Sequence, residues 1–181
     1  MGKYKFHWLF IVLVLSIVFG AIYKVGLIGL DSTLYDDLTT QAVDKAWQTA
    51  LSAEKDGEVK APFLIKVNVE NQLSSFTTVY DKDKKVVGSS GVLDEQTPEL
   101  PTEYLDNTNQ YVRNYFTWEP KPGVHLAGVT VSMGDKGYVL AGRNMQETDR
   151  QTDRLAKTVL VAWGASVLLT TAGLAVVTKR R

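Results

Sequence analysis

The hydropathy pattern changes period several times along the chain, and each change marks an element. Residues 6–23, between Lys5 and Lys24, carry no formal charge unless His7 is protonated. As a helix, a run of that length rises about 27 Å, close to the hydrocarbon thickness of a bilayer. A second uncharged run fills 158–178, between Lys157 and Lys179. Trp8, Tyr23 and Trp163 stand near the ends of these runs, where amphipathic rings favour a membrane interface. Two transmembrane helices are the expectation.

From Asp31 the pattern turns amphipathic. Leu34, Leu38, Ala42, Ala46 and Ala50 recur every four residues, flanked by Tyr35, Val43, Trp47 and Leu51. That is one broad apolar stripe on a long helix. Asp31 or Ser32 suits its N-cap and Gly57 its C-terminal stop, or the helix runs on from the first span. After Pro62 the period drops to two: Phe63, Ile65, Val67 and Val69 alternate with polar residues, as in a half-buried strand. Strands are expected at 76–80 and 86–89, joined by a turn through Asp81-Lys82-Asp83-Lys84-Lys85. Further strands are expected at 111–118, 124–133 and 138–143, the last two after turns at Pro120-Lys121-Pro122-Gly123 and Gly134-Asp135-Lys136-Gly137. Short turns between them predict an antiparallel meander of about five strands. Residues 144–155 are polar and helix-compatible and lead into the second span. The fold class expected is α+β. Residues 1–30 hold the N-terminus and first span, 31–154 the middle domain, and 155–181 the second span and a basic tail.

Charge sharpens this picture. The chain is neutral overall, with 20 basic and 20 acidic residues, yet every acidic residue lies between Asp31 and Asp153. Residues 31–154 hold 13 basic residues against those 20, a net −7, so the ends supply +7. Lys3 and Lys5 precede the first span and Lys179-Arg180-Arg181 follow the second. The positive-inside rule then puts both termini in the cytoplasm and the acidic middle outside the cell membrane. A cleaved signal peptide is the rival reading of the first span, with Val18 and Gly20 at the cleavage positions. The apolar stretch resumes at Val25, which favours a retained anchor. A cell-wall sorting tail fits poorly, because Leu100-Pro101-Thr102-Glu103 is distant and incomplete. This charge layout does not suit a nucleic-acid partner.

Composition removes several chemistries. With no cysteine there is no disulfide, thiolate metal site or Cys nucleophile, and two histidines exclude a His-rich zinc site. Gly88-Ser89-Ser90-Gly91 is not a nucleophile elbow. Ser132-Met133 matches part of the signal-peptidase serine box, but the following proline is missing. No nucleophile has an identifiable base, so no enzyme and no cofactor are expected. Nor does any charged residue lie in mid-span, against a transporter or channel.

The remaining candidates are binding residues. Residues 91–110 carry Asp94, Glu95, Glu99, Glu103 and Asp106 with no basic residue nearby. They lack the spacing of a calcium loop, so a solvated acidic loop is the plainer explanation and no metal site is expected. Arg113, His125 and Arg143 fall in expected strands and could together hold an anion through arginine's fork, although a strand arginine more commonly pairs with Glu119 or simply faces water. Tyr111, Tyr115, Phe116 and Trp118 could line a pocket, but more often fill a core, here against the helix carrying Trp47. Within the spans, Ser16 and Gly20, and Ala162, Ser166 and Thr170, form small-residue seams suited to helix packing or dimerisation.

Leu34-Tyr35-Asp36-Asp37-Leu38 through Trp47 after an N-terminal span resembles the outer helix of bacterial membrane sensor histidine kinases. Val79-Tyr80-Asp81 through Val86-Val87 resembles the strand–turn–strand hairpin of their PAS-like or Cache-like input domains, with Lys84 or Lys85 where a glycine is usual. Gly142-Arg143-Asn144 through Asp149, then Leu155 and the second span, resembles their final strand and exit helix. The resemblance implies a PAS-like antiparallel sheet with a long N-terminal helix, between two transmembrane helices. It also implies signal transduction by ligand binding outside, with the loop at 91–110 covering the pocket. No HAMP linker, phosphoacceptor helix or ATP-binding domain is present in these 181 residues, so no phosphotransfer is expected. The signal would pass to another membrane protein or through a homodimer, whether the chain stands alone or is the input part of something longer. The alternative is a structural or assembly subunit docking onto a larger cell-envelope complex. A cavity beneath 91–110 would favour sensing of a small ligand, and a closed apolar sheet face filled by the helix carrying Trp47 would favour docking.

Overall fold

A computed structural model describes residues 2–179; Arg180 and Arg181 of the basic tail lie outside the described residues. The chain divides into two units, Ser32–Glu147 and the helical ends on either side of it.

In the helical unit, α1 (Gly2–Asp56) contributes its first half and α3 (Gln146–Lys179) most of its length. Both contain stretches long and apolar enough to cross a membrane. They pair antiparallel. Gly26 sits so close to Leu155 that a Cβ there would lie 2.6 Å from Leu155 Cδ2. Further along, the Trp163 indole donates to Ser16 Oγ at 3.1 Å, and the Trp8 indole to Thr171 Oγ1 at 3.2 Å. Asp31 and Ser32 are not caps: α1 continues through them. No proline interrupts 24–34, and Leu27, Ile28 and Leu30 are helix-compatible, so Gly26 and Gly29 are carried without a break. The helix does end where expected, with Gly57 at φ 74° donating its N–H to Ala53 at 2.9 Å.

The other unit is a five-stranded antiparallel sheet built from β2 (Phe76–Tyr80), β3 (Val86–Ser89), β5 (Arg113–Lys121), β6 (Val124–Ser132) and β7 (Tyr138–Asn144). Its order is β3-β2-β7-β6-β5, which is not a simple meander. Residues 90–112 carry the chain from one edge to the other, so the last strand lies in the middle beside the first. That crossover contains the 10-residue α2 (Thr102–Tyr111), which the apolar pattern does not signal, since Leu105 is its single fully buried apolar side chain among the described residues. The alternation at 63–69 yields only β1 (Val67–Asn68), paired in parallel with β4 (Gly91–Val92). Val67 and Val69 are buried, whereas Ile65 is exposed. Both neighbours of each inner strand are already taken, so the segment has just a two-residue partner outside the main sheet.

Each face of the sheet has its own core. Leu34, Leu38, Ala42 and Ala46 of α1 cover Val79, Ala127, Val129, Val139 and Ala141. On the opposite face, Phe76, Phe116 and Trp118 pack with Leu105, Leu126 and Leu140. Space for those rings comes from Gly128 and Gly142, which are opposed in register; a Cβ on either would fall 2.8 Å or less from an aromatic carbon. The aromatic strand therefore packs only in part against the helix carrying Trp47. Phe116 and Trp118 point away from α1, Tyr115 meets Tyr35 edge-on at 5.7 Å, and Trp47 is 66% exposed.

Asn144 closes β7 and opens α3. Its Oδ1 accepts the Gln146 N–H at 2.7 Å, a capping bond, while its Nδ2 donates to the Val69 carbonyl at 2.7 Å.

Candidate functional site

On α1, Val43, Ala46, Trp47 and Ala50 stand at i, i+3, i+4 and i+7, one helical face. They form one wall of a hollow of about 300 Å³. The other wall is Val112-Arg113 where α2 meets β5, and Val131-Ser132-Met133 at the end of β6. Val112 terminates α2 in the left-handed region, φ 65°, a position usually given to Gly or Asn. Its carbonyl accepts the Ser132 N–H at 3.2 Å, and its isopropyl group is left exposed at the lip.

Two polar groups enter this otherwise apolar hollow. Ser132 Oγ accepts the Gly134 N–H at 3.1 Å, which leaves the hydroxyl proton for a further acceptor. Arg113 is exposed and, among the described residues, makes no ion pair. A largely apolar hollow with a few convergent donors is the ordinary form of a small-molecule site.

The six binding residues expected from sequence do not gather there or anywhere else. Asp94 (φ 49°) and Glu95 (φ 67°) form the two-residue tip of a small hairpin in which Leu93 and Gln96 exchange both backbone hydrogen bonds. Asp94 and Glu70 share Lys121 at 3.1 and 3.4 Å. The hydrogen bond that Lys121 donates to Asp94 chiefly, with help from Glu70 and against some desolvation, raises the Lys121 pKa above its ordinary value. Glu99 is exposed at its side chain and accepts the Trp118 indole at its backbone carbonyl, 3.1 Å. Arg143 donates from Nε to the Leu73 carbonyl at 2.7 Å and lies 3.9 Å from Asp37. His125, rather than an arginine, lies 3.6 Å from Glu119.

Register explains the scatter. Arg113 pairs with Val131 and Arg143 with Ala127, so the two arginines lie on opposite sides of β6, displaced by about 13 Å of strand. His125 is six positions from Val131, about 20 Å along β6. Of the six, Arg113 alone lines the hollow. Nothing local marks Val112 and Ser132 as a pair: the backbone bond from Ser132 N–H to the Val112 carbonyl joins positions 20 apart in sequence.

The face beneath 91–110 is occupied by Phe76, Leu105, Phe116, Trp118 and Leu126, all buried. Its polar groups are mostly paired, Thr78 with Ser89 at 2.8 Å and Thr108 with Thr130. The Tyr80 hydroxyl is the exception; it is buried without a partner, and burial pushes its pKa above the usual phenol range.

Among the seam residues, Ser16 and Gly20 line a lateral hollow of about 610 Å³ between the paired helices, with Tyr23, Leu160 and Trp163. Ser166 and Thr170 return their hydroxyls to the Ala162 and Ser166 carbonyls of their own helix. The described residues contain no cluster of metal-ligating side chains. No family model, curated protein or solved structure matches the chain.

Proposed function

We propose that this is a two-span membrane protein whose middle unit is a PAS-like input domain that answers to a ligand or partner outside the membrane. It hands that state to another membrane protein. The observation that carries this reading is the connectivity. Counting only the five strands of the sheet, their order is second, first, fifth, fourth, third. A PAS-like sheet would have that order, with a long N-terminal helix on one face and a crossover helix before the third strand. A single helix, α1, leads into the domain, and α3 leaves directly from the last strand through the Asn144 cap. Binding that stabilises one arrangement of the domain over another would bias both helices, by no more than its differential affinity for the two.

A second reading has its own observation. The sheet face beneath 91–110 is filled by aromatic and aliphatic side chains. This supports a docking subunit of an envelope assembly, with no small ligand under that segment.

Two experiments test the proposal. Because the chain has no cysteine, single Gly2→Cys and Ser52→Cys variants report topology by labelling with a membrane-impermeant maleimide on intact cells. Labelling of Ser52→Cys alone is expected; equal labelling of both defeats the two-span reading. Co-purification from native membranes in mild detergent should then yield a stoichiometric membrane-protein partner. Recovery of this chain by itself would remove the hand-over.

A further inference from the structure

We propose that the hollow between α1 and the β5–β6 end is a binding site for a small aromatic carboxylate. This deepens the sensing reading above and rests on it. The chemistry comes from the lining. Trp47 lines the hollow yet is two-thirds exposed, an arrangement that leaves an indole face in water. Met133 offers a thioether on the opposite wall, and thioethers contact aromatic edges favourably. A ring between them meets an indole on one side and sulfur and aliphatic carbon on the other.

The charged end follows from the two unused donors. Arg113 presents a planar fork, which matches the two oxygens of a carboxylate. Ser132 accepts the Gly134 N–H on one lone pair and has its proton still to give. One fork and one hydroxyl satisfy a monoanion with two oxygens. A phosphate, with three oxygens and up to two charges, would bring more acceptors than this site has donors. A volume of about 300 Å³ is at the small end of ligand sites, room for one ring system with a short acid arm.

The left-handed Val112 fits this assignment. A β-branched residue at φ 65° costs about 1–3 kcal/mol, and such strain collects where a site needs a particular shape. Here it holds the lip of the hollow and turns the chain into β5 so that Arg113 follows immediately.

The test uses the full chain in lipid nanodiscs, with indole-3-acetate as probe and its neutral amide as comparison, read by ligand-observed NMR and calorimetry. The acid should bind saturably and the amide at least tenfold more weakly. Arg113→Gln should weaken the acid tenfold or more and leave the amide unchanged, while Trp47→Ala weakens both. Both side chains are exposed, and an unchanged urea midpoint confirms that each variant is folded. Acid and amide binding alike, an unaffected Arg113→Gln variant, or no saturable binding by about 10 mM acid each overturns the site. Partner capture with and without indole-3-acetate separates the two layers. Binding that leaves capture unchanged keeps the site and removes the sensing role. Capture without binding removes the site and leaves the docking reading standing.

Discussion

Replacing Tyr80 with phenylalanine deletes the one buried side-chain polar atom among the described residues that has no partner. A buried hydroxyl without a hydrogen bond carries a desolvation penalty of about 1–3 kcal/mol. Tyr80→Phe keeps the ring between its neighbours and leaves a void of a single oxygen, so most of that penalty is recovered. The expected gain is about 1 kcal/mol at pH 7, a shift of about 0.5 M in urea midpoint for a domain this size. Alkaline pH should widen the gap. Burial raises the Tyr80 pKa, so the folded state keeps its proton where the unfolded chain has lost it. Stability from this group is complete below the ordinary tyrosine pKa of about 10 and is lost as pH rises beyond it. At pH 11 the wild-type chain gives up on the order of 1 kcal/mol through this residue, and the variant gives up none. The assay is urea unfolding of the detergent-solubilised full chain at both pH values, followed by tryptophan fluorescence; Trp118 lies in the same core as Tyr80. Destabilisation by about 1 kcal/mol or more at pH 7, or parallel pH dependence of the two chains, would refute the reasoning and mean that the hydroxyl has a bound partner.

Gly137→Ala should cost about 3 kcal/mol or more, because the new Cβ would fall 2.1 Å from the Tyr80 carbonyl oxygen at φ 122°; urea unfolding reads it, and a loss below about 1 kcal/mol would contradict that geometry. Val112→Gly should raise stability by about 1 kcal/mol through relief of the left-handed valine, and an unchanged midpoint would argue against strain there. In the helical unit, a double-mutant cycle of Ser16→Ala and Trp163→Phe should give a coupling of about 0.6 kcal/mol in steric-trap or SDS unfolding, and zero coupling would remove the hydrogen bond as a contributor.

Much of the architecture was legible in one dimension because it depends on period and length. The two uncharged runs, the four-residue stripe from Leu34 to Ala50 and the strands at 76–80 and 86–89 all satisfy local rules, and the helices and strands occur at those places. Even the turn lacking a glycine is explained locally: Lys84 takes φ 61° while Asp81 Oδ1 holds the Lys85 N–H at 2.9 Å. Sequence by itself thus determined element type over most of the chain, the separation of charge, and the absence of thiol chemistry. Tertiary structure decided what depends on partners distant in sequence. The crossover through 90–112 places β7 beside β2, and no local pattern records which edge a chain returns to. Ile65 keeps a strand's alternation yet is exposed, since alternation creates a strand only where a neighbour offers hydrogen bonds. Strand register, a matter of pairing, sets Arg113 too far from His125 and Arg143 for the three to share one ligand. The same pairing brings Arg113 to Ser132 and Trp47, residues 19 and 66 positions away, around one hollow.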